Sequence, residues 1–235
     1  MTAGAWLRLA AAALFAMPMA ACAAPDAVSA TYSVIRAGLH IATTQESFER
    51  TGSQYRVSSD SNPVGLAALF VRKRIKVLSS GTVTPAGLHP QQFEYGDGDK
   101  SVSATFDWKS QRLHMTFDGR NETIALPQGT QDRLSLMYQF MFLPVDKVKT
   151  IPIQMTNGKK IESYLYQVTD SGSAETPLGK MNAVHLVKQR DAGDNNQIEV
   201  WLATERHFVP IKILVVESDG ARYEWIITRL EFKPT

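Results

Sequence analysis

Segments rich in β-branched and aromatic residues recur along most of the chain, and residues that favour tight turns separate them. No other feature limits the possible folds as much. Residues 32–36 and 39–49 flank Ala37-Gly38, and residues 90–95, 101–108 and 112–117 are parted by Gly96-Asp97-Gly98-Asp99 and a short polar break. Asn157-Gly158 and Asp219-Gly220 are the strongest hairpin signals, because both central residues of a type I′ turn need positive φ. Further strands are predicted at 54–59, 72–79, 150–156, 161–170, 180–190, 197–204, 209–217 and 222–232. Strands joined by such short turns pair antiparallel with their neighbours.

Two segments interrupt the pattern. Residues 63–70 (PVGLAALF) read as a short helix or apolar loop ahead of a basic stretch. Residues 131–143 (QDRLSLMYQFMFL) form the best helix candidate, with Thr130 placed to cap it and Asp132 in its first turn, where the helix dipole favours negative charge. Leu134, Met137, Tyr138 and Met141 fall on one face, and Leu136, Phe140 and Leu143 on the other. Only Ser135 and Gln139 make a polar stripe, so the helix should be buried. In the last strand Tyr223, Trp225 and Ile227 alternate with Ile226, Leu230 and Phe232, which predicts cover on both faces. The expected fold is mainly β: a single strongly curved antiparallel sheet, an incomplete β-barrel, enclosing one main apolar helix. Residues 24–235 are expected to form one domain, with 157–180 its weakest point.

The first 23 residues carry Arg8, an apolar run of about a dozen residues and then small residues, the layout of a secretory signal peptide. The run is too short to span a bilayer as a helix. Two processing patterns overlap here. Ala21-Cys22-Ala23 is a small-x-small site for cleavage before Ala24, and Met19-Ala20-Ala21-Cys22 is similar to a bacterial lipobox, in which Cys22 would be lipidated. The expected location is the periplasm, with an outer-membrane anchor through Cys22 in the second case. Cys22 is the only cysteine, so no intrachain disulfide can form. The domain must stand on its core, which about 210 residues can supply.

Chemistry is thinly signalled. Without the leader, 24 basic residues face 23 acidic ones. That balance offers no footprint for nucleic acid. The histidines 40, 89, 114, 185 and 207 lack metal-ligand spacing, and the chain holds no GxSxG elbow, P-loop or dinucleotide fingerprint. Nothing points to a cofactor or a metal. Arg72, Arg74 and Lys76 would share one face of a strand and could meet an anionic membrane surface, or serve as solvated charges that block edge-to-edge pairing.

Four stretches together carry a resemblance: YSVIRAGLHIATTQESFE (32–49), LPQGTQDRLSLMYQF (126–140), ETPLGKMNAVHL (175–186) and EVWLATERHFVPIKI (199–213). With these the chain resembles the bacterial periplasmic domain-of-unknown-function family numbered 3108. The match singles out Asp132, Leu134, Ser135, Gly179, Trp201 and Pro210, each of which also has an ordinary role as cap, core or turn. The architecture is similar to that of lipoprotein carriers, an analogy of fold. It implies a non-catalytic binding or carrier protein for lipid, lipoprotein or another apolar ligand, with Leu136, Phe140, Met137 and Trp201 as candidate contacts. A periplasmic hydrolase with a fold-assembled site and an envelope assembly factor are the alternatives. An interior filled solid by Leu136, Phe140 and the sheet would count against an apolar ligand there.

Overall fold

A computed structural model describes residues 24–70, 73–190 and 196–233. The strands are β1 (Ala27–Arg36), β2 (Leu39–Thr51), β3 (Gln54–Pro63), β4 (Ile75–Thr84), β5 (Gly87–Gly96), β6 (Ser101–Asp107), β7 (Arg112–Phe117) and β8 (Arg120–Ala125). After these come a two-residue β9 (Gln131–Asp132), then β10 (Thr150–Thr156), β11 (Ile161–Thr176), β12 (Gly179–Lys188), β13 (Gln197–Ala203), β14 (Pro210–Val216) and β15 (Arg222–Lys233). One sheet holds all of them, in the order β8-β7-β6-β5-β4-β3-β2-β1-β15-β14-β13-β12-β11-β10-β9. Every pairing is antiparallel except the short parallel bridge of β9 to β10. The first and last strands therefore meet in the middle of the sheet, and β8 and β9 are its unjoined edges.

Alternation assigns the two faces. On β1, Val28, Ala30, Tyr32 and Val34 are buried, and cross-strand register puts Phe48, Val57, Ser79, Phe93, Ala104 and Met115 on the same concave face. Register shifts at Thr31/Tyr32, Val34/Ile35, Ser80/Gly81 and Trp201/Leu202 insert bulges that bend the strands. The bend brings the two halves of the sheet together at the seam. There Gly158, at φ +84, leaves no room for a Cβ against Val102 and Phe93. Lys159 Nζ reaches Asp118 Oδ2 at 2.8 Å across the same seam. No backbone pairing joins β8 to β9, so side chains alone bring these halves together.

The expected long helix is much shorter. Gln131 and Asp132 pair with Met155 and Thr156 as strand, α2 spans only Ser135–Gln139, and a 3-10 turn follows over Phe140–Phe142. Asp132 sets the start: its Oδ1 accepts from the backbone N–H groups of Leu134 and Ser135 at 2.9 and 2.8 Å. The Asp132 N–H in turn donates to Ser135 Oγ at 3.0 Å, a reciprocal capping box. Thr130, the expected cap, donates instead to the Pro127 carbonyl at 2.7 Å. Helical residues on one side, Leu136 and Phe140, pack with Val145, Ile151, Tyr166 and Leu186, while Leu134, Tyr138 and Met141 pack with Val28, Phe48, Tyr55 and Val57. Both apolar faces of the segment are thus used, one against each half of the sheet.

Other boundaries moved as well. β8 falls where no strand was expected, because RNETIA has no apolar alternation and faces solvent along its length. A second short helix, α1 (Ala67–Phe70), lies within the apolar stretch 63–70. β4 starts at Ile75, so Arg74 is outside the strand, and Arg72 lies outside the described residues. The last strand is not buried on both faces: of its residues only Ile227 is fully buried. Tyr223 and Trp225 are half-buried because the concave face beside them is not filled.

Candidate functional site

The concave face has two ends of opposite character. At one end the helical segment fills it. Phe48 stacks on Tyr138 with centroids 5.5 Å apart and on Tyr55 at 6.4 Å, and Phe142 tilts against it at 6.3 Å. The two residues of the expected polar stripe are buried here with polar partners. Gln139 accepts from the Leu88 N–H at 2.6 Å and donates to the Ala86 carbonyl at 2.9 Å, tying α2 to the β4–β5 hairpin. Ser135 completes the capping box. Ser79 Oγ donates to Asp132 Oδ2 at 2.6 Å, so both carboxylate oxygens of Asp132 are held. Burial nevertheless raises the Asp132 carboxyl above its ordinary range, against the hydrogen bonds that favour its charge.

A second carboxylate sits between the ends. Glu46 on β2 accepts from Tyr138 Oη at 3.1 Å and from Ser59 Oγ at 3.1 Å. Burial raises its pKa as well, and the same burial, with Glu46 nearby, raises the Tyr138 phenol. Tyr32 closes this layer by donating to the Pro210 carbonyl at 2.8 Å. One alternation step along β2, Thr44 Oγ1 and Ser61 Oγ lie 2.9 Å apart.

Beyond Ser61 the face opens into a cleft of about 280 Å³. Val34, Ala42, Pro63, Ile75, Tyr223 and Trp225 supply its walls, Ala67 of α1 its lip, and Lys73 and Glu217 its polar rim. The Arg36 guanidinium lies over the Tyr223 ring at 5.1 Å, so that aromatic wall is fixed from outside. The walls come from β1, β2, β3, β4, β14 and β15, whose concave-facing residues near the mouth are mostly small or β-branched. That composition, with no inward chain segment, leaves the space open.

The residues singled out from the sequence do not gather in one place. Leu136 and Phe140 are fully buried in the filled end, with Met137 beside them. Trp201 points to the opposite face of β13 from Val200 and Leu202, where it stacks on His185 with centroids 4.2 Å apart. Asp132, Leu134 and Ser135 form and bury the cap. Gly179, at φ +103, makes the β11–β12 turn, and Pro210 opens β14. Arg74 is bound to Asp60 and Lys73 to Asp99. Cys22 and the leader lie outside the described residues. The cleft residues were missed because apolar periodicity marks a concave face without saying whether anything fills it. Only Tyr223 and Trp225 carried a signal, read as double-sided cover.

One histidine stands between a carboxylate and a hydroxyl. His185 Nε2 meets Glu199 Oε2 at 2.7 Å and Nδ1 meets the Thr169 hydroxyl at 3.0 Å. Trp201 covers one ring face, and both ring nitrogens are engaged. Among the described residues no group of three or more His, Cys, Asp or Glu could hold a metal ion.

These features define a class: an unclosed, strongly curved β-barrel with one end filled and the other open as an apolar cleft. The chain belongs to the family described as "Protein of unknown function (DUF3108)", whose model matches residues 29–225. The fold is similar to that of a β-barrel-like protein of domain of unknown function DUF1849 from Brucella abortus, at 11% identity and TM-score 0.58, covering 91% of this chain and 100% of that one. A candidate lipoprotein from Parabacteroides distasonis aligns more distantly, at 8% identity and TM-score 0.35 over 88% of this chain and 95% of that one. No curated protein matches the sequence significantly.

Proposed function

We propose that this is an exported, periplasmic, non-catalytic binding protein whose open-end cleft takes the apolar part of a lipid, lipoprotein or other amphipathic ligand. One observation carries the reading: an apolar, aromatic-walled cleft of about 280 Å³ on the concave face, bounded inward by the Thr44–Ser61 hydroxyl pair and Glu46. That volume is near the lower edge of the ~300–1,000 Å³ of ligand pockets, which suits one acyl chain better than several. The helical segment, held inside the curve, would act as the plug that keeps the other end solid and gives the cleft a fixed floor. The leader supports a periplasmic location, with processing at Cys22 deciding between a free and an anchored form. Candidate contacts move accordingly from Leu136, Phe140, Met137 and Trp201 to Val34, Ala42, Tyr223 and Trp225.

Mass spectrometry of an organic extract from gently purified protein tests the reading, together with displacement of an environment-sensitive fluorescent fatty acid. Co-purifying lipid and saturable displacement are expected, and both should be lost in Ala42→Phe, which fills the cleft. An extract free of lipid and a probe that does not bind would refute it.

A further inference from the structure

Four of the eight exposed large apolar side chains among the described residues lie at the mouth of the cleft. Leu66, Leu69 and Phe70 are 73%, 69% and 86% exposed, and Leu39 at the neighbouring start of β2 is 62% exposed. A lone exposed leucine is ordinary on a soluble protein. A contiguous apolar patch is not. The first three follow i, i+3, i+4 spacing on the single turn that contains α1, so they share one face. Ala67 lines the cleft, while the three large residues stay in solvent. The turn is seated firmly: the Val64 N–H donates to the Ile41 carbonyl at 2.9 Å, and Gly65 lies against the His40 carbonyl. Leu39 and the α1 turn are thereby parts of one surface.

The charges beside this patch say what could cover it. Arg74 is committed to Asp60 and Lys73 to Asp99, and Asp97 stands close by. Among the described residues these rim cations are paired, which leaves them little field to offer a charged partner. One turn and one leucine also fall well short of the ~800 Å² per partner buried in a stable protein interface. A lipid headgroup layer asks for neither charge nor a matching shape, only apolar tips able to enter it. Tyr223 and Trp225, at the same mouth, belong to the residue types that favour a membrane interface.

We infer that the mouth docks on the surface of a lipid bilayer, with Leu66, Leu69, Phe70 and Leu39 entering the headgroup layer and the cleft facing the membrane. The docking uses apolar contact with uncharged or zwitterionic headgroups, and the paired cations add little. In this pose an acyl chain could pass from bilayer to cleft without crossing water, a consequence that rests on the ligand reading above, whereas docking itself does not. Ala24 packs near Val28 and Phe48 at the filled end. The docking surface is therefore at the far end of β1 from the point where any anchor at Cys22 would attach.

The test is vesicle flotation of the full chain exported with Cys22→Ala, so that no acyl anchor contributes. Binding to phosphatidylcholine vesicles is expected, nearly unchanged by phosphatidylglycerol or by added salt. Leu66→Ser, Leu69→Ser and Phe70→Ser together should weaken it at least ten-fold with an unchanged Tm, since all three side chains are already in water. Ala42→Phe should keep vesicle binding while losing the fatty-acid probe, which separates failure of the docking from failure of the ligand reading. The inference is overturned by absence of binding to either vesicle, or by binding only to anionic vesicles that salt abolishes. Equal binding by the triple variant, or a concentration-dependent dimer that shields the tips, would overturn it too.

Discussion

The two ends of the concave face share strands β1 to β4, yet one is solid and the other open. The difference lies in what the connections deliver. Between β8 and β10 the chain is long enough to turn inward, and it brings Leu136, Tyr138 and Phe140 into the curve. At the other end the β3–β4 connection keeps α1 at the rim, with its large side chains outward. A curved sheet of this size cannot fill its own hollow with the side chains of its strands. Where no segment enters, a cleft remains.

The contrast can be broken most directly at the plug. Phe140 is fully buried in an edge-to-face contact with Tyr166 at 5.9 Å. Phe140→Ala should cost ~3–5 kcal/mol, read as a drop in the urea midpoint with little change in slope. A loss below 1 kcal/mol would mean that this end is loosely packed and the two ends are alike. Next is the seam. Gly158→Ala places a Cβ on Val102 and Phe93 at a positive-φ position and should destabilise by about 2 kcal/mol. If thermal unfolding shows no shift, the halves of the sheet are not in firm contact.

Acid should separate the ends by sign. Burial raises the folded-state pKa of Asp132 and Glu46 above unfolded values near ~4. In the window between unfolded and folded pKa, the folded chain binds more protons. These two groups therefore favour folding more at the acid side of that window, and this stabilisation is lost as pH rises through their folded pKa. At the mouth Asp60 is held low by its hydrogen bonds from Arg74, so its contribution runs the other way: present near neutrality and lost as pH falls through the folded value. Asp132→Asn should flatten the first dependence in denaturation curves taken from pH 4 to 8. An unchanged profile would place the titrating group elsewhere. The smallest stability effect is expected at the cleft, where Trp225→Ala removes a half-buried wall and should stay under ~1 kcal/mol while abolishing probe binding.

The sequence revealed the meander through its turn chemistry, and Asn157-Gly158 and Asp219-Gly220 fall at hairpin turns between paired strands. It also exposed the D-x-L-S stretch without its reason, which is the reciprocal Asp132–Ser135 cap buried against Ser79. The helix was overread because its apolar run continues through Phe140–Phe142, which wind as a 3-10 turn, and because Gln131 and Asp132 at its start pair with the sheet instead. Glu46 had no local signal at all: its partners Tyr138 and Ser59 come from distant parts of the chain. The Leu66, Leu69, Phe70 spacing was visible, but an apolar face reads the same whether it meets a core or solvent.

The adjacency of β1 and β15 has a further consequence, for the order of assembly. Thr228 Oγ1 bonds to the Thr31 carbonyl across 197 residues of chain. Contacts of such separation form late and slow folding. During synthesis, β1 must wait for the final hairpin before its second edge is paired. The centre of the sheet therefore cannot close until the last strand has been made. A chain cut after β14 should show rapid hydrogen exchange along β1, and protected amides there would mean that the first half closes alone. A sheet whose two halves are joined last, in the middle, stays open until its final residues are made.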